Sequence, residues 1–131
     1  MATGRQIIAA QIRADYPDYV VCDYPKEPAQ VQTGKPYVDV FATAITPTDG
    51  ELHLGHDLEV HCYAARTAGP DAEDEVETIR DNVLLSLQRL KGTAWTRAER
   101  VTFMDGAYIG YKITVAGSTP NVYKQTILTE G

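Results

Sequence analysis

The residues in this chain best suited to chemistry are His53, His56 and His61 with the neighbouring Cys62, since imidazole and thiolate are the usual ligands of zinc. His61 and Cys62 are adjacent on an apparent strand and point to opposite faces, so at most three ligands remain, two of them His53 and His56 of a Gly-flanked loop, and the alternative is a small metal- or ligand-binding domain using that pair. The competing account is two loop histidines, one surface histidine and one buried thiol, and it is the one adopted: no metal and no cofactor are expected. The acidic run over residues 71–77 could suggest two-metal chemistry, but carboxylates at a helix start are what the helix dipole favours in any case. Three histidines with Cys22 or Cys62 could supply a nucleophile and base of a small hydrolase, yet no nucleophile motif, phosphate-cradling loop or dinucleotide fingerprint surrounds them. No enzymatic activity is therefore expected.

The elements that would position these residues are organised around residues 70–91, PDAEDEVETIRDNVLLSLQRLK. Val76, Ile79, Val83, Leu87 and Leu90 recur at steps of three and four with Leu84 beside them, which predicts one long amphipathic helix. Pro70 suits its first turn, acidic residues precede Arg89 and Lys91 along the dipole, and Gly92 is the natural stop. A shorter helix is expected over residues 3–14, capped by Thr3, with Ile7, Ile8 and Ile12 as its apolar stripe. Residues 19–24, YVVCDY, read as a first strand closed by Pro25.

Two further strands alternate clearly. Residues 37–45 place Val38, Val40, Ala42 and Ala44 on one face; residues 57–65 place Leu58, Val60, Cys62 and Ala64 inward, with Asp57, Glu59, His61 and Tyr63 outward. Residues 46–56 between them exceed the about two to five residues usual in a hairpin loop and read as a long functional arm. A two-residue turn at Asp49-Gly50 would set Val40 opposite Glu59 and break both alternations, so a bulge or irregularity is expected, near Gly55. Residues 93–103 and 108–115 form a second hairpin around Asp105-Gly106. Counting outward pairs Phe103 with Tyr108, Thr102 with Ile109, Glu99 with Lys112 and Ala98 with Ile113, and sets Arg100 opposite Tyr111, where a cation could lie on the ring. The Gly117-Ser118-Thr119-Pro120 stretch is expected to break the pattern, leaving residues 121–128 as a short last strand, or residues 116–131 as an extended tail.

The order α-β-β-β-α-β-β-β implies a single α+β domain over residues 1–131, with a mostly antiparallel sheet of about five or six strands under the two helices. Eighteen acidic against twelve scattered basic residues give a net charge of −6, which argues against specific nucleic-acid binding. No apolar run is long enough to cross a membrane, and two cysteines without a visible signal peptide fit cytosolic synthesis with reduced thiols. Trp95, Tyr108, Tyr111 and Tyr123 with Arg97 and Arg100 are of the types that anchor protein interfaces, although Trp95 and Tyr111 could equally fill the core beneath the long helix.

The succession QIIAAQIRADYPDYVV, GKPYVDVFATAITP, DLEVHCYAAR, a helix ending LLSLQRLKG and a closing GYKITV resembles the tail terminator, or tail completion, proteins of long-tailed bacteriophages, across almost the whole chain. The resemblance implies an α+β virion subunit made in the host cytoplasm, which assembles as a ring, typically a hexamer. Such a ring caps the tail tube at its head-proximal end, stops polymerisation and presents a surface to the head-completion or connector protein. Head-tail joining proteins share the layout. No active-site residues are implied, and a net negative subunit suits a lumen that DNA traverses without being held. On this reading Asp49, Gly50, Glu51, His53 and His56 of the arm, with Trp95, Arg97, Arg100, Tyr108, Tyr111 and Tyr123, are the candidate contacts with other subunits or with the tube.

Overall fold

A computed structural model describes residues 3–25, 35–48, 50, 52–64, 69–103 and 108–120. Helix α1 (Gly4–Asp15) begins at a capping box, in which the Thr3 side chain and the Gln6 side chain each satisfy the other's backbone N–H. Strands β1 (Val20–Cys22), β2 (Tyr37–Thr48) and β3 (His53–Tyr63) follow, then helix α2 (Pro70–Gln88), and strands β4 (Thr93–Phe103) and β5 (Tyr108–Pro120). Pro70 stands in the first turn of α2, and Gly92, with φ +75°, makes the left-handed turn into β4 that a side chain would resist.

The strands form one sheet in the order β1-β2-β3-β5-β4. β1 runs parallel to β2, and every other pair is antiparallel. The class is α+β, as the element order implies. Both helices pack on one face. Ile8 and Ile12 of α1 meet Ile79, Val83 and Leu87 of α2 over Val38, Val40, Leu58, Val60, Cys62, Ile113 and Val115. The three-and-four spacing of α2 thus marks its buried stripe, except that Leu84 and Leu90 are only partly covered. Asp15 locks the two helices together: it accepts from Gln11 at 3.0 Å and from Ser86 Oγ at 2.7 Å, and pairs with Arg89 at 2.7 Å.

Three expectations need correction. Residues 46–56 are not an over-long loop: β2 and β3 continue as a paired hairpin to Thr48 and His53, and Gly50 turns at the tip with φ +63°. The irregularity required by the alternation exists, but it is a bulge at Thr43 on β2, which restores Val40 opposite Val60; Gly55 is regularly paired with Thr46. Nor do Gly117 to Pro120 break the last strand, because His56 to His53 of β3 offer them a regular ladder, and pairing outweighs turn-like composition. The expected strand over residues 121–128 lies outside the described residues.

The second hairpin has the register read from the sequence, including Phe103↔Tyr108, Glu99↔Lys112 and Ala98↔Ile113. Its Asp105-Gly106 turn lies outside the described residues. Arg100 does face Tyr111 across the ladder, but its guanidinium goes to Glu73 of α2, and it is Arg80 that lies over the Tyr111 ring, 4.8 Å from its centre. The carboxylate outbids the ring because full opposite charges attract more strongly than a cation and a quadrupole.

Candidate assembly interface

The helices cover only part of the sheet. Along β2, Tyr37 to Val40 are buried, Phe41 is half-buried, and every residue from Ala42 to Thr48 is exposed. The exposed part carries Ile45 and Leu52 with about half or more of their surface in solvent. It is made by the hairpin β2–β3, backed by the end of β5, whose Gly117 to Pro120 pair with His56 to His53. This projecting end of the sheet is the arm.

The sheet also has two open edges among the described residues. β1 covers β2 only from Tyr37 to Asp39, so the outer edge of β2 from Val40 to Thr48 carries no described strand. On the far side, β4 pairs only with β5 and exposes an edge of eleven residues. Open edges template pairing with another chain, and Pro47, which lacks an N–H, is a partial guard on the first of them. Trp95 stands half-exposed on the second.

The candidate contacts distribute as follows. Gly50 sits exposed at the hairpin tip; Asp49, Glu51 and Tyr123 lie outside the described residues. His53 and His56 are three apart on an unbroken strand and so project to opposite faces, and His56 Nε2 lies 2.7 Å from Thr119 Oγ1. A shared metal at this pair is not supported by that placement, and among the described residues no group of three His, Cys, Asp or Glu is arranged to hold one. Arg97 is open to solvent beside Glu99 at 3.2 Å. Arg100 is tied to Glu73. Tyr108 is half-buried opposite Phe103, and Tyr111 packs into the core. Of the candidates, then, the structure gathers Trp95 and Arg97 on one edge and Gly50, His53 and His56 on the arm, and leaves Tyr111 partly buried against the core.

Sequence reasoning missed a polar cluster on the sheet face away from the helices. Tyr37 and Tyr63 are stacked cross-strand partners, 5.3 Å between ring centres, and Gly110 beside Tyr63 leaves room for that ring: a Cβ on Gly110 would fall 2.8 Å from it and 2.4 Å from the Cys62 carbonyl. The Tyr37 hydroxyl donates to buried Asp39 at 3.3 Å, and His61 Nδ1 lies 3.0 Å from the Tyr63 hydroxyl and 3.6 Å from Asp39. Burial holds the Tyr37 phenol protonated and pushes the His61 pKa down, only partly offset by Glu59, so the ring is neutral at neutral pH. The signal was present: Tyr37 and Asp39 alternate opposite His61 and Tyr63. On the helix side, burial pushes the Cys62 thiol up to about 12, which makes it a packing group and not a nucleophile.

A cleft of about 620 Å³ opens where the sheet edge steps from β1 to β2, lined by Arg5, Asp23, Tyr24, Pro25, Phe41 and Ala42. Arg5 is pinned there by the Asp23 carboxylate at 3.3 Å and the Asp23 carbonyl at 2.7 Å. Neither a family model nor a curated protein sequence matches the chain.

Proposed function

We propose that this chain is a structural subunit that closes into a ring by joining its two sheet edges, and that the ring caps the tail tube of a long-tailed phage, in keeping with the resemblance of its sequence to tail terminators. The observation that carries the ring is the pair of open edges. β2 and β4 run in opposite directions within the sheet, so cyclic repetition sets β4 of one subunit antiparallel to β2 of the next. Such a head-to-tail contact is heterologous, and it closes whenever the rotation per subunit divides a full turn.

The arm supports the capping half of the proposal. It extends the strands beyond what the core needs, and carries Ile45 and Leu52 to a surface where a tube subunit or a head-completion protein can cover them. From residue 36 to 65 the chain has five carboxylates and no Lys or Arg, so an arm facing a lumen would not hold passing DNA.

Light scattering over a wide concentration range, followed by a tube-polymerisation assay, tests the reading. The native mass should rise to a closed oligomer, and the protein should fix tube length. Replacing Ile45 and Leu52 by Glu should leave folding and ring mass unchanged and abolish capping. Capping by that double variant would remove the arm from the mechanism, and engagement of the connector without the tube would assign the ring to head-tail joining.

A further inference from the structure

We infer that Trp95 of one subunit is the knob that fills the cleft at Arg5, Tyr24 and Ala42 of the next; the inference rests on the ring reading and names its contact. Trp95 pairs with Val115, Val115 with Leu58, and Leu58 with Ala42, so these four residues form one row across the sheet. Leu58 and Val115 lie in the helix-packed core, which places the whole row, Trp95 included, on the helix-bearing face. The cleft lies at the other end of the row, at the sheet edge: Ala42 and Arg5, from the first turn of α1, line it on the helix-bearing side, and Phe41 lines it from the other face. A subunit repeated around a ring therefore brings its Trp95 to the level, and to the side of the sheet, at which its neighbour is hollow.

The chemistry of the two ends matches. Trp95 is 37% exposed and Tyr24 is 52% exposed, large surface for aromatic groups that dominate interface energetics. Arg5, already oriented by Asp23, offers a guanidinium to the indole, the aromatic that best receives a cation. One row further, Arg97 shares a line with Thr114, Glu59 and Phe41 on the opposite face, so the same repetition lays a solvent-exposed arginine beside Phe41 on the arginine- and lysine-free β2–β3 surface. The open edge of β2 from Val40 to Thr48 carries no charged side chain to repel it. The bulge at Thr96 separates the two rows and lets Trp95 and Arg97 occupy opposite faces although they are two residues apart. Where β1 covers β2, no neighbour can pair, so the contact is confined to the step in the edge and the open strand beyond it.

Trp95 is the single tryptophan of the chain, so its emission reports the contact directly. The experiment follows emission wavelength and iodide quenching of the full chain across the concentration range in which mass is measured by light scattering. The expected result is a blue shift and loss of quenching that track the rise in mass. A rise in mass with Trp95 still quenched by iodide would overturn the inference while leaving the ring intact. A chain that stays monomeric throughout, with Trp95 exposed, would overturn both.

Two variants sharpen the test, each checked by circular dichroism. Trp95→Ala removes the knob and Ala42→Arg fills the cleft; each should raise the concentration needed for assembly by at least about tenfold. Mixed together they should form a one-to-one dimer and nothing larger, because only one intact knob and one intact cleft remain per pair. Full-size rings from either variant alone would overturn the inference.

Discussion

The same strands are core at one end and surface at the other. In the helix-covered half, Val38, Val40, Val60, Ile113 and Val115 are fully buried, and the two helices complete the packing. In the arm half, β2 from Ala42 to Thr48 is exposed throughout, although its ladder to β3 continues. The β2–β3 ladder thus runs through both halves, and what changes along β2 is side-chain burial. That separates two jobs: the covered half holds the helix-packed core, whereas β2 from Ala42 to Thr48 extends beyond it.

Large-to-small substitution should expose this contrast most strongly. Ile113→Ala leaves a cavity under both helices and is expected to cost about 2–5 kcal/mol, against at most about 0.5 kcal/mol for Ile45→Ala on the arm. Urea denaturation of both variants measures it. Equal losses would mean that the arm is part of the core.

Gly110→Ala tests the covered half from its other face. The added methyl would meet the Cys62 carbonyl, a backbone atom that cannot swing aside, as well as the Tyr63 ring. A loss of about 1–3 kcal/mol is expected, the usual cost of overpacking, together with a change in near-ultraviolet circular dichroism as Tyr63 is displaced from Tyr37. An unchanged denaturation midpoint would show that the stacked tyrosines do not constrain the sheet.

The halves also differ in how well the sequence reveals them. α2 is legible because burial imposes a period: Val76, Ile79, Val83 and Leu87 are all buried. The second hairpin's register is legible from Phe103 to Arg97 because its cross-strand residues agree, as Glu99 opposite Lys112 illustrates, whereas the bulge at Thr96 left no mark in the sequence. The arm is not, because β2 from Ala42 to Thr48 is exposed throughout and burial imposes no alternation on it, Leu54 of β3 being the buried exception. Pro47, Gly50, Gly55, Gly117 and Pro120 give it the composition of a loop, and only the three-strand ladder among β2, β3 and β5 makes it a sheet. The bulge at Thr43 was implied by the need to keep Val40 opposite Val60, but its position was not, since any residue between the tip and the core could have absorbed the extra step. The cleft was also illegible, because it is formed by residues from α1, the end of β1 and β2 that only the fold brings together.

The smallest expected effect concerns the fastening of the helical cover. Asp15 ends α1 and accepts hydrogen bonds from Gln11 and Ser86 while pairing with Arg89 just beyond α2. These interactions hold its carboxyl below its ordinary pKa, with the bonds from Gln11 and Ser86 the leading causes and burial opposing them. The folded state therefore prefers the carboxylate more than the unfolded chain does. The resulting stability is complete above the ordinary value of 3.8 and is lost as pH falls through the depressed folded value. Asp15→Ala should cost about 1–2 kcal/mol at neutral pH, and the gap between variant and wild type should narrow steadily under acid, as read by urea denaturation at each pH. A gap that stays constant into acid would mean that Asp15 acts through packing and not through its charge. Because the described partners of Asp15 are Gln11, Ser86 and Arg89, on or next to the helices, the variant should speed amide exchange along α1 and the last turn of α2 while leaving the hairpin from Thr46 to Gly55 unchanged. Faster exchange in both places would show that the arm owes its order to the cover, and the division of labour between the two halves would fail.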